Sequence, residues 1–276
     1  MAFWLGAMSE VVVPLELAEI GAFADLYRSA SPEVVGQCGV ALKELDESVV
    51  LAATRLDVLA LNRVLGLGLT GRPSDAGLAQ MVETVETIGS ARFFVQVAPT
   101  EWSADVASRL MGLGLRHHNN WIRLTRELVH LPVAPAGDLA VQLIGPKQAD
   151  VFSRIVAAAY GHPPEVAPLT GCVIGRPGWR HYLAYEDDEA IAAGAMFVAG
   201  EAAWLGFAAT AAERRGRGAQ TALVVRRLED AAADGCKWVS VETAEQTPER
   251  EAPSFRNLSR LGFTVAYTRP NYVWVR

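Results

Sequence analysis

The stretch from Trp204 to Thr243 constrains the fold most, because it reads as strand, glycine-arginine turn, helix and strand in direct succession. Trp204-Leu205-Gly206-Phe207-Ala208-Ala209-Thr210 is apolar and uncharged, the pattern of a buried strand. The turn is Glu213-Arg214-Arg215-Gly216-Arg217-Gly218-Ala219-Gln220-Thr221, after which Thr221, Val224, Val225, Leu228 and Ala232 recur at helical spacing. Gly235 stands where a helix C-cap falls, and Lys237 to Thr243 alternates into a second strand. A strand that enters a helix through glycines leaves main-chain N–H groups free at a helix N-terminus, where the dipole favours an anion. Gly216 and Gly218 let a phosphate approach the backbone closely, and Arg215 and Arg217 add positive charge there. A basic surface turn between two core elements is the competing reading of the same residues.

Two familiar phosphate-binding patterns are excluded. The dinucleotide fingerprint needs glycine where Thr221 stands, and no Gly-Lys-Ser/Thr follows to make a nucleoside-triphosphate loop. Instead, Arg215-Gly216-Arg217-Gly218-Ala219-Gln220-Thr221-Ala222-Leu223 behind an apolar strand resembles motif A of the GNAT superfamily of acyl-CoA-dependent N-acyltransferases, Arg/Gln-x-x-Gly-x-Gly/Ala. Arg215 and Gly218 match, while Gln220 departs from the small residue at the last position. Ser254-Phe255-Arg256-Asn257-Leu258-Ser259-Arg260-Leu261-Gly262-Phe263 resembles motif B, the last helix ending in Leu-Gly-Phe. The resemblance covers about Leu139 to Arg276.

The chain has 276 residues, about half of them apolar, enough for one large domain or two small ones. A net charge of −6 argues against nucleic-acid binding by bulk charge. Cys38, Cys172 and Cys236 are sparse and unpaired in sequence, which points to reduced thiols and the cytoplasm. His117, His118, His130, His162 and His181 show no metal-ligand spacing, so no metal is expected. The apolar first eight residues lack a basic start, and no uncharged run reaches the length of a membrane span, so neither a signal peptide nor a membrane partner is expected.

Along the chain, Pro14 to Tyr27 reads as a helix. Ser31-Pro32-Glu33 opens a second, whose stripe runs through Val35, Cys38, Leu42 and Leu45. Ser48 to Thr54 and Val58 to Leu65 are β-type runs, Ser74 caps a helix ended by Gly89, and Arg92 to Val97 is a strand. Ser103 to Met111 is a short helix and His118 to Thr125 a strand. Leu131 to Asp138, with two prolines and a glycine, is the best linker. Beyond it come a strand from Leu139 to Ile144, a helix opened by Pro146, an irregular segment from Gly161 to Pro177, a hairpin about Glu186-Asp187-Asp188-Glu189, and a closing hairpin of Thr264–Tyr267 with Tyr272–Val275. Leu65-Gly66-Leu67 with Thr70 corresponds to Leu205-Gly206-Phe207 with Thr210, and Leu113-Gly114-Leu115 to Leu261-Gly262-Phe263, a sign of duplication. The expected architecture is α/β (α+β): two tandem GNAT-like domains, residues 1–135 and 136–276. Each is a mixed, mostly antiparallel sheet with a central splayed strand pair, flanked by helices. The first copy carries Gly71-Arg72-Pro73-Ser74-Asp75 at its turn; Pro73 removes a donor and Asp75 adds negative charge, so it is degenerate as a pyrophosphate holder.

The resemblance implies acetyl-CoA, or another short acyl-CoA, as co-substrate, and a small-molecule or peptide amine that attacks the thioester directly in a ternary complex. Ala208, Ala209 and Thr210 are then expected to pair with the pantetheine arm, and Arg215, Gly216, Arg217, Gly218, Ala219, Gln220 and Thr221 to cradle the pyrophosphate. Ser254 and Asn257 are further expected contacts. Glu242 is the candidate base, with Glu245 in reserve. The family's tyrosine acid falls at Leu258, which leaves Tyr267 or Tyr272 as substitutes, or Asn257 through water. A non-catalytic acyl-CoA sensor or scaffold is the alternative, and a homodimer is left open.

Overall fold

The computed structural model describes residues 2–46, 48–133, 139–245 and 253–276, with side chains from Val11 onward. Residues 134–138 of the expected linker lie outside the described residues.

The chain opens with α1 (Ala2–Arg28), which starts well before the expected Pro14 and carries that proline in its interior. Leu15, Ala18, Ala22 and Leu26 recur on its buried face at three- and four-residue steps. Helix α2 (Pro32–Cys38) is capped as expected, the Ser31 hydroxyl accepting from the Val34 N–H, but it does not continue to Leu45. Gly39 takes φ +67 and closes the helix, and the chain re-emerges as β1 (Val40–Leu45), paired antiparallel with β2 (Ser48–Ala53). A single 3₁₀ turn, Leu59–Leu61, then shortens the expected Val58–Leu65 strand to β3 (Arg63–Leu65). Helix α3 (Asp75–Ile88), β4 (Arg92–Gln96), α4 (Ser103–Gly112) and the long β5 (Arg116–Glu127) complete the first half.

The second half runs β6 (Ala140–Ile144), α5 (Ala149–Tyr160), α6 (Ala167–Gly171), β7 (Trp179–Glu186), β8 (Glu189–Ala199) and β9 (Ala202–Thr210). It continues with α7 (Ala219–Ala233), β10 (Trp238–Ala244), α8 (Pro253–Arg260) and β11 (Thr264–Val275). The repeat seen in sequence recurs in topology. β1-β2-β3-β4 and β7-β8-β9-β10 each pair antiparallel, antiparallel, then parallel, with a helix between the parallel strands.

The halves share one eleven-stranded sheet in the order β1-β2-β3-β4-β11-β5-β10-β9-β8-β7-β6. Its centre is an exchange of closing strands: β11 pairs with β4 of the first half, and β5 pairs with β10 of the second. The expected closing hairpin is instead this one strand. It bends through register shifts at Val265/Tyr267 and Asn271/Tyr272, pairing with β5 over Thr264–Val273 and with β4 over Asn271–Val275. Alternation sorts the faces. Leu51 and Ala53 of β2 join Ala193 and Ala195 of β8 in the core under α1, α5 and α6. Val50 faces α3 and α4 in one opposite core, and Ala192 and Met196 face α7 and α8 in the other. Among the described residues, no helix is long and apolar enough to cross a membrane.

Candidate active site

Strands β9 and β10 pair in parallel only from Trp238↔Ala202 to Val241↔Leu205 and separate beyond. At the parting, the β8–β9 ladder slips register between Ala193 and Ala195, and Phe207 takes φ +50, an outlying conformation for an aromatic residue. Gly206 permits this, since a Cβ there would collide with the Trp204 indole. Arg227 of α7, 1% exposed, packs against Gly194 at the slip; its Nη1 donates to the Ala195 carbonyl (3.1 Å) and its Nε to the Leu223 carbonyl (3.0 Å). No carboxylate pairs with it among the described residues, and burial draws its pKa down to about 10.

A cavity of about 390 Å³ passes through the parting. Gln220, Val224, Arg227, Ser254 and Leu258 line it on the side of α7 and α8. On the opposite side it is bounded by Glu19 and Phe23 of α1, Ala60, Leu61 and Arg63 of the first half, and Tyr160, His162, Val166 and Thr170. Trp121 of β5 and Glu242 and Thr243 of β10 complete it. The first half therefore supplies much of one wall.

The turn into α7 keeps open backbone at its two glycines, but Arg217, expected to add positive charge there, is paired with Glu186. Gly216 (φ +80) and Gly218 (φ +85) both have open space where a Cβ would stand, and among the described residues no side chain caps the helix N-terminus. Arg217 donates to Glu186 Oε2 (2.6 Å) and Arg214 to Glu186 (3.1 Å) and Glu189, so both are drawn to the β7–β8 hairpin. Arg215 is exposed and makes no ion pair among the described residues. Ala219 is buried, and the Thr221 hydroxyl donates to Asn257 Oδ1 (2.9 Å), joining α7 to α8. Gln220 Oε1, Thr243 Oγ1 and Asn257 Nδ2 are buried polar atoms without a partner among the described residues, in or beside the cavity. Ala208 lines the cavity, whereas Ala209 and Thr210 pair with Ala193 and Ala192. The first copy's turn is closed by its own residues: Ser74 caps α3, Arg72 binds Asp105, and Arg109 takes the Pro73 carbonyl and Asp75.

Glu242 lies in a buried network of three glutamates and three arginines. Arg269 Nη2 donates to Glu242 (2.5 Å), and Arg269 Nη1 lies 2.9 Å from Glu16 and 2.7 Å from Glu19. Arg123 binds Glu19 and lies 3.8 Å from Glu242; Arg63 lies 3.4 Å from Glu19 and 3.9 Å from Glu242. Burial raises the Glu242 pKa above its ordinary value and neighbouring Glu19 adds to this, while Arg269, Arg123 and Arg63 only partly offset it. Burial would raise Glu19 too, but Arg123, then Arg269 and Arg63, hold it well below the usual carboxylate range.

The two substitute tyrosines fall outside this cavity. Tyr267 is buried with Val12, Leu69 and Ala98 and donates to Glu16. Tyr272 is packed in the core under α3 and α4. Both follow from the placement of β11 in the first half, with Tyr267 opposite Arg123 of β5 and Tyr272 opposite Val95 of β4. Glu245 accepts from the Asn120 amide (2.9 Å). His181 is buried against Phe152 and Trp179, its pKa pushed down to about 3 by burial. His162 does line the cavity, stacked on Tyr160 with centroids 5.6 Å apart.

Sequence reasoning missed Tyr160. Its side chain is half-exposed, and its hydroxyl donates to the Ala208 carbonyl (3.1 Å), with a pKa raised by the partial burial of the phenol. It was hidden at the edge of the irregular segment, and only an aromatic at a helix end before Gly161 hints at it.

No family model and no curated protein matches the chain. Solved structures do. A GCN5-related N-acetyltransferase from Kribbella flavida superposes with a TM-score of 0.60 over 90% of this chain and 95% of that one, at 17% identity. One from Sphaerobacter thermophilus gives 0.58 over 95% and 92%, at 17% identity. A tandem GNAT protein from the clavulanic acid biosynthesis pathway gives 0.57 over 83% and 78%, again at 17%. The chain has the GNAT fold.

Proposed function

We propose that this protein transfers an acetyl or other short acyl group from acyl-CoA to a primary amine, by direct attack in a ternary complex. The observation that carries the reading is the cavity through the strand parting, with polar atoms toward α7 and α8 that have no partner among the described residues and a carboxylate of raised pKa on the amine side. The residues fit the CoA group: the uncapped α7 N-terminus and its two glycines would hold the pyrophosphate, and Asn257, Ser254 and the Ala208 main chain the arm. Bound acyl-CoA supplies the activated thioester. Glu242, ionised, takes the proton that an incoming ammonium must lose. The shifted β9 backbone near Ala208 or Ala209 orients N–H donors toward developing negative charge. Tyr160, kept protonated by its raised pKa, is the donor on the Ala208 side.

Incubation with acetyl-CoA and a panel of amines tests the reading. CoA release above a no-acceptor blank supports it. Tight acetyl-CoA binding without turnover supports the sensor reading instead, which Leu258 at the usual tyrosine position favours. The absence of any acetyl-CoA thermal shift removes both.

Gly218→Pro tests the turn. Proline fixes φ near −65° where the chain requires +85, so the α7 N-terminus cannot keep its present form. Charge-assisted hydrogen bonds contribute about 1.5–3 kcal/mol each, so losing one or two weakens acetyl-CoA binding by at least about tenfold in calorimetry. Unchanged affinity would remove the turn from the site.

A further inference from the structure

We infer that the amine accepted here is a monoamine with a flat apolar body, an arylalkylamine by chemical class. The inference rests on the acyl-transfer reading and names the acceptor for that same cavity.

The first ground is charge balance. Glu16, Glu19 and Glu242 face Arg63, Arg123 and Arg269 within one connected network, three carboxylates against three guanidiniums. Among the described residues, no surplus negative charge is left on the amine side to neutralise a second ammonium. A diamine or polyamine would have to bury that group against apolar walls or paired arginines, which is costly. Glu242 is the one cavity carboxylate whose pKa is raised, so one nitrogen at a time can be relieved of its proton.

The second ground is the commitment of the cations. Arg63, 3% exposed, donates to Gln96 Oε1 (3.0 Å), lies 3.4 Å from Glu19 and stacks its guanidinium 3.8 Å over the Phe23 ring. Arg227 is held by two main-chain carbonyls on the opposite, α7 side. Burial depresses the pKa of the His162 imidazole and so disfavours a positive charge there. An amino acid would therefore bring a carboxylate with no free cation, among the described residues, on the amine side to meet it.

The third ground is the wall itself. Phe23, Trp204 and Phe207 pack edge-to-face, with centroids 5.2, 6.3 and 5.7 Å apart, and all three border the cavity. Half-buried Trp121 stands on β5 three places from Leu124, opposite Ala244 of β10, and the Tyr160–His162 stack adds another flat surface. Such a pocket holds a ring by burial and by edge and face contacts, with one polar group fixing its orientation.

Matched amines separate these grounds. Phenylalanine adds only a carboxylate to phenethylamine, 1,5-diaminopentane adds only a second ammonium to pentylamine, and pentylamine lacks the ring. With acetyl-CoA, the expected kcat/KM for phenethylamine exceeds that for phenylalanine and for diaminopentane by at least about tenfold, and pentylamine falls between. Trp121→Ala collapses the preference of phenethylamine over pentylamine, and Trp121→Phe restores most of it. A preference for the diamine or for phenylalanine overturns the inference, as does a Trp121→Ala variant that keeps the ring preference. Calorimetric binding of the same four amines to the protein gives a second readout. If acetyl-CoA binds and no amine is acylated, the acyl-transfer reading fails. The amine binding order then still decides the inference: phenethylamine tightest supports it, any other order overturns it.

Discussion

Arg269→Met lowers the free energy of unfolding by about 3–5 kcal/mol, the cost of removing one partner from a buried ion network. Arg269 is fully buried and its guanidinium reaches Glu16, Glu19 and Glu242, so the substitution leaves three carboxylates facing two arginines. It also removes one of the links between α1 and the exchanged strand β11, leaving Tyr267 to Glu16. Denaturant unfolding measures the change. Arg28→Ala is the contrast: its pair with Glu44 is more than half exposed on both sides, and its loss changes stability by no more than about 1 kcal/mol. The effect depends on pH in a defined direction. The folded pKa of Glu19 lies below its unfolded value of 4.5, so its contribution is fully present above that pH and is lost as pH falls. The gap between Arg269→Met and the parent narrows below pH 4.5. An equal gap at pH 3 and pH 7 would place the loss in packing rather than in the ion network.

The elements around the site were legible because they rest on local chemistry. Gly216 and Gly218 needed left-handed backbone, the apolar β9 run needed burial on both faces, and Ser31 and Ser74 announced their helices. The repeat of Leu-Gly-Leu and Leu-Gly-Phe was legible too, and the two parallel pairs β3–β4 and β9–β10 follow it. The strand exchange was not. Alternation shows which face of β5 and β11 is buried, but main-chain hydrogen bonds carry no side-chain signature, so the partner strand is not written in either sequence. The ion network was hidden for a related reason. Glu16 and Glu19 read as the polar face of α1, since charged residues are mostly exposed. One local sign was present: Arg123 stands between Ile122 and Leu124, and all three are buried. A charge within such a run demands opposite charges from elsewhere, here from both halves at once. Tyr267 and Tyr272 were misplaced by the same gap, because a hairpin would have kept them in the second half and the exchanged strand carries them into the first.

Glu242→Gln lowers kcat for amine acylation by about 10²–10⁴-fold at neutral pH, the range for loss of a general base, while leaving acetyl-CoA affinity unchanged. Glu242 faces the amine side of the cavity, away from the α7 turn, so binding and proton removal separate. Its pKa is raised by burial, so the rising limb of the pH–rate profile lies above the ordinary glutamate value of 4.5, and the glutamine variant loses that limb. Stability supplies the control. A carboxyl whose folded pKa is raised contributes stability below its unfolded pKa and loses it as pH rises through the folded value. Ionised Glu242 therefore adds nothing through this linkage at pH 8, and the neutral amide keeps an oxygen to accept from Arg269. The variant leaves three arginines facing two carboxylates, so its melting temperature is expected to fall, and the rates are compared at a temperature where circular dichroism shows both proteins folded. A folded Glu242→Gln protein that keeps both its rate and its pH profile excludes Glu242 as the base and moves the search to His162, a cavity imidazole whose pKa burial lowers.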